Sequence, residues 1–284
     1  MNFFLPVLAA FLQASSFTLD KVILSIKKID FRTYTGISFP LIFVINLIIF
    51  FLIKPPLTYE MIFGKLFWYI LASIFLMIIG NIIYYKALGK DKLSEIEVIG
   101  LITVLPVIIF SSLIFSDERK LGIIIPALIA SLAMIWSHWK GGKFVLKRDT
   151  LFFLLLYLVT SPIRTFIIKI LLETWNPISL ELLHAGVTAA VLTPLYRKSY
   201  SAVTLKAFSL LVLTNLLTAV AWILFYFSFQ ASGIVYTVLL FSLQPLLVYM
   251  ASIFLLKEKT DHKKTIAFII VLISITVAQI YSGK

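Results

Sequence analysis

Residues 66–88, LFWYILASIFLMIIGNIIYYKAL, hold a single charged side chain, Lys86. About 20 mostly apolar residues are needed for a helix to cross the roughly 30 Å hydrocarbon core of a bilayer. The apolar run is continuous and does not alternate with polar residues, which argues against a strand of a membrane β-barrel. The stretch therefore predicts a transmembrane helix.

Nine further segments have the same character, so we predict an all-α integral membrane protein with ten transmembrane helices. The predicted spans are Phe3–Leu24, Phe31–Ile53, Leu66–Leu88, Leu93–Ser116, Leu121–Trp139, Leu151–Leu172, Ser179–Tyr196, Leu205–Gln230, Ser232–Leu256 and Lys264–Ile280. Short polar connections such as residues 54–56 and 117–120 join them, and none of these connections is long enough to form a soluble domain.

The composition excludes several classes of protein. Hydrophobic residues make up 61% of the chain and charged residues 13%, whereas a soluble domain is about 25% charged. The chain has no Cys, which excludes a disulfide scaffold and a thiolate metal site. Three His without paired spacing and the lack of a Gly-rich phosphate loop lead us to expect no metal, no cofactor and no enzyme activity.

The net charge of +12 could reflect nucleic-acid binding or basic loops on the cytoplasmic side of a membrane. Nucleic-acid binding is disfavoured because no soluble stretch could host such a domain. If the connections alternate between two faces, 18 of the 25 Lys and Arg residues lie on the face of the first connection. Because Lys and Arg collect in cytoplasmic loops, we expect that face in the cytoplasm and both termini on the outer side of the cell membrane.

The chain contains an internal repeat, with 1–140 as a first five-helix unit, 141–150 as a basic linker and 151–284 as a second unit. Lys21 and Lys169 end the first span of each unit. Pro106 and Pro245 occupy the fourth spans and precede Glu118-Arg119 and Glu258-Lys259. Five spans per unit is an odd number, so the second unit is predicted to be inverted, as in alternating-access carriers.

These motifs resemble the EamA family of the drug/metabolite transporter superfamily. The resemblance rests on Ala14-Ser15-Ser16-Phe17 with Lys21 in span one, Tyr85-Lys86-Ala87-Leu88 in span three, and the Pro and Glu pairs of the fourth spans. It implies two five-helix repeats and a secondary transporter of small metabolites. We expect amino-acid-like substrates, export rather than uptake, and a monomer or homodimer in the bilayer, with protons as a further partner to be tested.

Arg164 is the sharpest candidate for a substrate-binding residue. It lies near the middle of the sixth span, where a charge is costly and usually functional. It is predicted to bind a substrate carboxylate or phosphate, or alternatively to pair with a carboxylate on a neighbouring span.

Glu97 is the leading acidic candidate, because some members of the resembled family, including aromatic amino acid exporters, have a Glu nine residues before the Pro. It is expected to couple protons or bind a substrate ammonium; the alternative is an interfacial carboxylate paired with Lys86 or Lys92. Asp20 and Lys21 are adjacent at the end of span one, and one of the two could face a cavity.

Uncharged and aromatic side chains complete the candidate substrate or coupling set. They are Gln13, Ser16, Asn81, Tyr84, Tyr85, His184, Trp222, Tyr226, Tyr236 and Gln244, with Lys21 as a basic member. Aromatic faces bind apolar groups or cations, but lipid contact and interhelical hydrogen bonds are open alternatives for each. Pro106 and Pro245 are hinge candidates or static kinks. The competing function is a membrane enzyme or scaffold acting on lipid-linked substrates.

Overall fold

The computed structural model describes the backbone of residues 3–26, 29–90, 93–137, 139, 148–196, 203–256 and 261–282. Side chains 89–90, 93–101, 148–151, 153–154, 196, 252, 255–256 and 282 are outside the description. All regular structure in the described part is helical. The helices are α1 (Phe4–Leu24), α2 (Phe31–Ile53), α3 (Tyr59–Phe63), α4 (Phe67–Lys90), α5 (Leu93–Ile114), α6 (Leu121–Ser137), α7 (Arg148–Leu172), α8 (Pro177–Tyr196), α9 (Leu205–Ser232), α10 (Ile234–Phe241), α11 (Leu243–Leu256) and α12 (His262–Ser282).

Eight stretches in the described residues are long and apolar enough to cross a membrane. They are Phe4–Leu24, Phe31–Ile53, Phe67–Leu88, Leu155–Leu172, Pro177–Leu195, Leu205–Ser232, Ile234–Ala251 and His262–Tyr281, and two shorter apolar helices are Ile102–Ile114 and Leu121–Ser137. Large apolar side chains cover the outside: Leu52 is 78% exposed and Trp68 74%. The prediction of an all-α integral membrane protein is confirmed.

Local sequence explains where the helices begin and end. Asp30 precedes α2, and its carboxylate accepts a hydrogen bond from the Thr33 backbone N–H at 2.8 Å, satisfying a donor that the first turn leaves free. Helix α2 ends at Ile53 because Lys54 adopts a left-handed conformation with φ of 53° and two prolines follow it.

The ninth predicted span, Ser232–Leu256, forms two helices rather than one. Gly233, with φ of 82°, separates α9 from α10, and Ser242 separates α10 from α11. The second break has a physical cause: the Pro245 ring clashes with the carbonyl four residues earlier, which belongs to Phe241, the last residue of α10. The matching Pro106 lies inside the continuous helix α5.

The helices pack in pairs that leave a space between them. The closest pairs are α1 with α9, α2 with α8, α6 with α12, and α4 with α7. Small residues allow close approach in the α6–α12 pair, where Ala127 and Ala130 of α6 and Ala267 and Ala278 of α12 are buried in one cluster. This pair is remote from the central space, which the other long helices surround.

Candidate central binding site

A cavity of about 250 Å³ lies between helices from both ends of the chain. Helices α1, α2, α4, α5, α7, α8, α9, α10 and α11 contribute side chains to its wall. Most of the lining is apolar or aromatic, with a few polar groups, as is usual for small-molecule sites. The size limits a ligand to a small metabolite.

Arg164 of α7 is the cationic residue among the described residues that line the cavity. Its guanidinium donates a hydrogen bond to the Tyr226 hydroxyl at 2.9 Å and lies 5.5 Å from the centre of the Trp222 ring. The Nε atom is buried without a hydrogen-bond partner. Within the described residues no carboxylate lies within ion-pair distance of Arg164, so the alternative of a direct structural ion pair finds no partner among them.

Glu181 of α8 is the acidic residue among the described residues that line the same cavity, and sequence reasoning missed it. It is 6% exposed and close enough to Arg164 for the two charges to interact. The signal was available, since Glu181 is an ionisable residue inside a predicted span. It was missed because it lies near the end of that span, where a carboxylate commonly faces water.

The cavity brings together nine of the residues singled out from the sequence. They are Gln13, Asn81, Tyr84, Tyr85, Arg164, Trp222, Tyr226, Gln244 and the hinge candidate Pro245. The amide oxygen of Gln13 is buried without a partner, which leaves an acceptor for a ligand N–H. Phe225 stacks closely with Phe229 and Phe241, with ring centres 4.6 Å apart in both pairs, and forms an aromatic wall beside Trp222.

Other candidates lie behind the cavity wall. Tyr236 of α10 donates a hydrogen bond to the Gln279 side chain of α12. His184 is fully buried, with its Nε2 atom 2.9 Å from the Ser73 hydroxyl. That hydroxyl also lies 2.8 Å from the Ile70 carbonyl, within hydrogen-bond distance.

The remaining candidates contact neighbouring helices away from the cavity, or their side chains are outside the described residues. Ser16 is fully buried and bonds to Thr214 and Thr218 of α9. The Lys21 ammonium donates to the Leu88 carbonyl at 2.8 Å. Pro106 lies within α5 and outside the cavity lining. The Glu97 side chain lies outside the described residues, so its predicted roles stay predictions.

Lys169 forms an interaction that joins the first half of the chain to the second. Its ammonium lies 2.6 Å from the carboxylates of Asp117 and Glu118, in the connection between α5 and α6. The Glu118 carboxylate also accepts hydrogen bonds from the backbone N–H groups of Ile234 and Val235, at 2.6 and 3.0 Å. The Glu of the sequence motif thus binds the buried N-terminus of α10.

Comparison with known proteins agrees with this architecture. Residues 148–279 match the EamA-like transporter family, which confirms the resemblance drawn from the motifs. A solved structure titled "Crystal structure of protein" has the same fold, with a TM-score of 0.74 and 12% sequence identity, covering 98% of this chain and 97% of that chain. No curated protein matches the sequence significantly.

Proposed function

We propose that this chain is a secondary-active transporter of small metabolites, because residues 148–279 match the EamA-like transporter family. It works by alternating access between two inverted five-helix repeats, the first built from α1, α2, α4, α5 and α6. The second repeat is built from α7, α8, α9, the broken span α10–α11, and α12. The cavity between the repeats is the substrate site.

The helix pairs support the inverted arrangement. A two-fold axis that exchanges the repeats converts the α1–α9 pair into the α7–α4 pair, and both pairs are in close contact. The same axis leaves the α2–α8 and α6–α12 pairs unchanged, as expected for pairs that lie on it. In carriers of this kind the substrate binds at the repeat interface near the bilayer midplane.

Amino-acid-like molecules are the substrate class that the cavity fits best. The observation that carries this proposal is that the described residues place one cation, Arg164, and one anion, Glu181, in a single small cavity with an aromatic wall. Arg164 would bind the carboxylate and Glu181 the ammonium, while Trp222 and Phe225 would contact an apolar side chain. Of the two directions we propose export.

A binding measurement tests the substrate class. The thermal stability of the purified protein is measured with phenylalanine, with 3-phenylpropionate, which lacks the ammonium, and with phenethylamine, which lacks the carboxylate. A ligand at 100 times its Kd stabilises the folded state by about 2.7 kcal/mol. We expect a shift with phenylalanine and little with the two analogues, and no shift in Arg164→Gln.

Flux in proteoliposomes tests transport itself. Counterflow of the amino acid that binds is measured for the wild type, Arg164→Gln and Glu181→Gln, with Glu60→Gln on the exposed helix α3 as a matched control. We expect flux in the wild type and the control only. Binding without flux in the wild type would favour the enzyme or scaffold alternative, and equal flux in all four proteins would contradict the site assignment.

A further inference from the structure

Asp20 is a buried carboxylate that the proposed substrate site does not use. It belongs to α1, one helical turn before its end, and is fully buried. Its Oδ1 atom accepts hydrogen bonds from the Tyr34 hydroxyl and, at 2.6 Å, from the Thr214 hydroxyl. Its Oδ2 atom is buried without a partner.

No cation among the described residues neutralises this carboxylate. Lys21 is its neighbour in sequence, but adjacent residues on a helix point in different directions, and the Lys21 ammonium donates to the Leu88 carbonyl. An isolated buried carboxylate is costly in its ionised form. The Asp20 carboxylate is therefore suited to binding and releasing a proton.

A chain of hydroxyl groups connects Asp20 with the central cavity. Thr218 lines the cavity, and its hydroxyl lies 2.5 Å from the Ser16 hydroxyl. The Ser16 hydroxyl lies 2.9 Å from the Thr214 hydroxyl, which lies 2.6 Å from Asp20 Oδ1. Each member can donate one proton and accept another, so the chain is continuous.

A proton can pass along this chain without any other covalent change. A hydronium ion in the cavity gives a proton to the Thr218 oxygen and becomes water as Thr218 gives its own proton to Ser16. Ser16 then passes its proton to Thr214, and Thr214 passes its proton to Asp20 Oδ1. Each of the three hydroxyl oxygens loses one O–H bond and gains one, and the net result is a water molecule in the cavity and a neutral carboxylic acid at Asp20.

The titratable groups that face Asp20 in the described residues are tyrosines. They are Tyr34 from α2 and Tyr85 from α4, whose rings are 4.8 Å apart. Helix α9 contributes the Thr214 hydroxyl.

The tyrosines on the two other helices that pack against α1 have partners of their own. Tyr236 of α10 bonds to Gln279, and Tyr249 of α11 accepts a hydrogen bond from the Asp261 backbone at 2.6 Å. The hydroxyl chain is therefore one route from Asp20 to the cavity through the described residues, and Tyr34 with the cavity-lining Tyr85 is a second.

We propose that Asp20 is the proton-binding site that couples this carrier to a proton gradient, with Thr218, Ser16 and Thr214 as the path to the cavity. The coupling role rests on the proposed transport function, whereas proton binding at Asp20 does not. Because Asp20 lies near the end of α1, the path runs from the cavity toward the face of the α1–α2 connection.

Infrared difference spectroscopy of the purified full-length protein tests proton binding without a substrate. Lowering the pH is expected to produce the carbonyl band of a buried carboxylic acid, and Asp20→Asn should remove it. Tyr34→Phe removes a hydrogen bond to Asp20 and should shift the band, which keeps the assignment testable if Asp20→Asn fails to fold. A band absent from the wild type, or unchanged in both variants, overturns the proposal.

A pH jump with the same infrared readout tests the path. Ser16→Ala removes the middle hydroxyl and should slow the appearance of the band about tenfold, the factor expected when one hydrogen bond is lost from the transfer barrier. Ser16→Thr restores a hydroxyl and should recover the rate. Ser228→Ala is the matched control, because Ser228 is an equally buried serine bonded to Thr237, away from the path. Equal rates in wild type and Ser16→Ala overturn the path.

Flux in proteoliposomes then tests coupling. An imposed pH gradient should drive accumulation of the amino acid in the wild type, whereas Asp20→Asn should exchange the amino acid but ignore the gradient. Wild-type exchange that ignores the gradient overturns the coupling role. An infrared band at Asp20 with no flux of any amino acid supports the proton site and rejects the proposed function.

Discussion

At the scale of single residues, the Glu118 carboxylate binds groups from two other parts of the chain: the Lys169 ammonium and the first backbone N–H groups of α10. It pairs with Lys169, and only 4% of the Glu118 side chain and 13% of the Lys169 side chain are exposed. Its carboxylate also caps the N-terminus of α10, where a negative charge is favourable. Glu118→Gln removes the charge and places an amide N–H₂ group against backbone donors. We expect a loss of about 3–5 kcal/mol in the free energy of unfolding, typical of breaking a buried ion pair.

Unfolding of the purified protein in detergent measures this loss. Glu60→Gln is the matched control, since Glu60 is exposed on α3 and should change stability little. A Glu118→Gln protein as stable as the control would show that the ion pair and the helix cap contribute nothing net to stability.

The sequence identified charged residues well only where their position in a span was unusual. Arg164 could be identified because a charge in the middle of an apolar span is costly and is usually retained for a function. Glu181 was missed because it lies near the end of a span, where sequence alone does not show whether the side chain faces water or a cavity. The partners of Asp20 come from α2 and α9, distant in sequence, so its environment depends on tertiary packing.

At the scale of helices, apolar length predicted the elements closely, and local backbone chemistry decided the rest. Span nine was predicted as one helix because its apolar run is unbroken. The structure interrupts it at Ser242 because of Pro245 and separates it from α9 by Gly233 alone. A hydropathy pattern does not encode either interruption.

Gly233→Ala tests the first of these breaks. The residue has φ of 82° and ψ of 174°, a conformation that costs a non-Gly residue about 1–3 kcal/mol. An added Cβ would lie 2.7 Å from Glu118 Oε1 and disturb the cap. We expect lower thermal stability for Gly233→Ala and no loss for Gly80→Ala, where an added Cβ meets its neighbour at an ordinary 3.8 Å. Equal behaviour of the two variants would contradict this explanation.

Pro245→Ala tests whether the second break is a moving part. Alanine restores a backbone N–H and removes the clash with Phe241, so α10 and α11 should join into one helix. Stability should rise by up to about 3 kcal/mol, the cost of a proline inside a helix, while counterflow of the amino acid should fall. Pro106→Ala is the control for this variant, because Pro106 lies within the continuous helix α5 and its replacement joins no separate helices. A Pro245→Ala carrier with wild-type flux would assign the proline a static role.

At the scale of the whole molecule, the proposed inverted arrangement of the repeats makes a prediction for matched positions. Ser25 follows the end of α1 and Glu173 follows the end of α7, and each lies four residues after the repeated Lys, Lys21 or Lys169. Both residues are exposed. If five spans separate them, they lie on opposite faces of the membrane, with Ser25 on the face that carries most of the basic residues and is expected in the cytoplasm.

Single cysteines make this arrangement measurable, because the chain contains no Cys. In intact cells a membrane-impermeant maleimide should label Glu173→Cys, whereas Ser25→Cys should react only after the membrane is permeabilised. Lys54→Cys, exposed after α2, should react like Glu173→Cys, since an even number of spans separates the two positions. Labelling of Ser25→Cys and Glu173→Cys from the same side would mean parallel repeats, which would remove the symmetry on which the alternating-access proposal rests. The reverse pattern, with Ser25→Cys labelled from outside, would keep the inverted repeats and reverse only the orientation inferred from the basic residues.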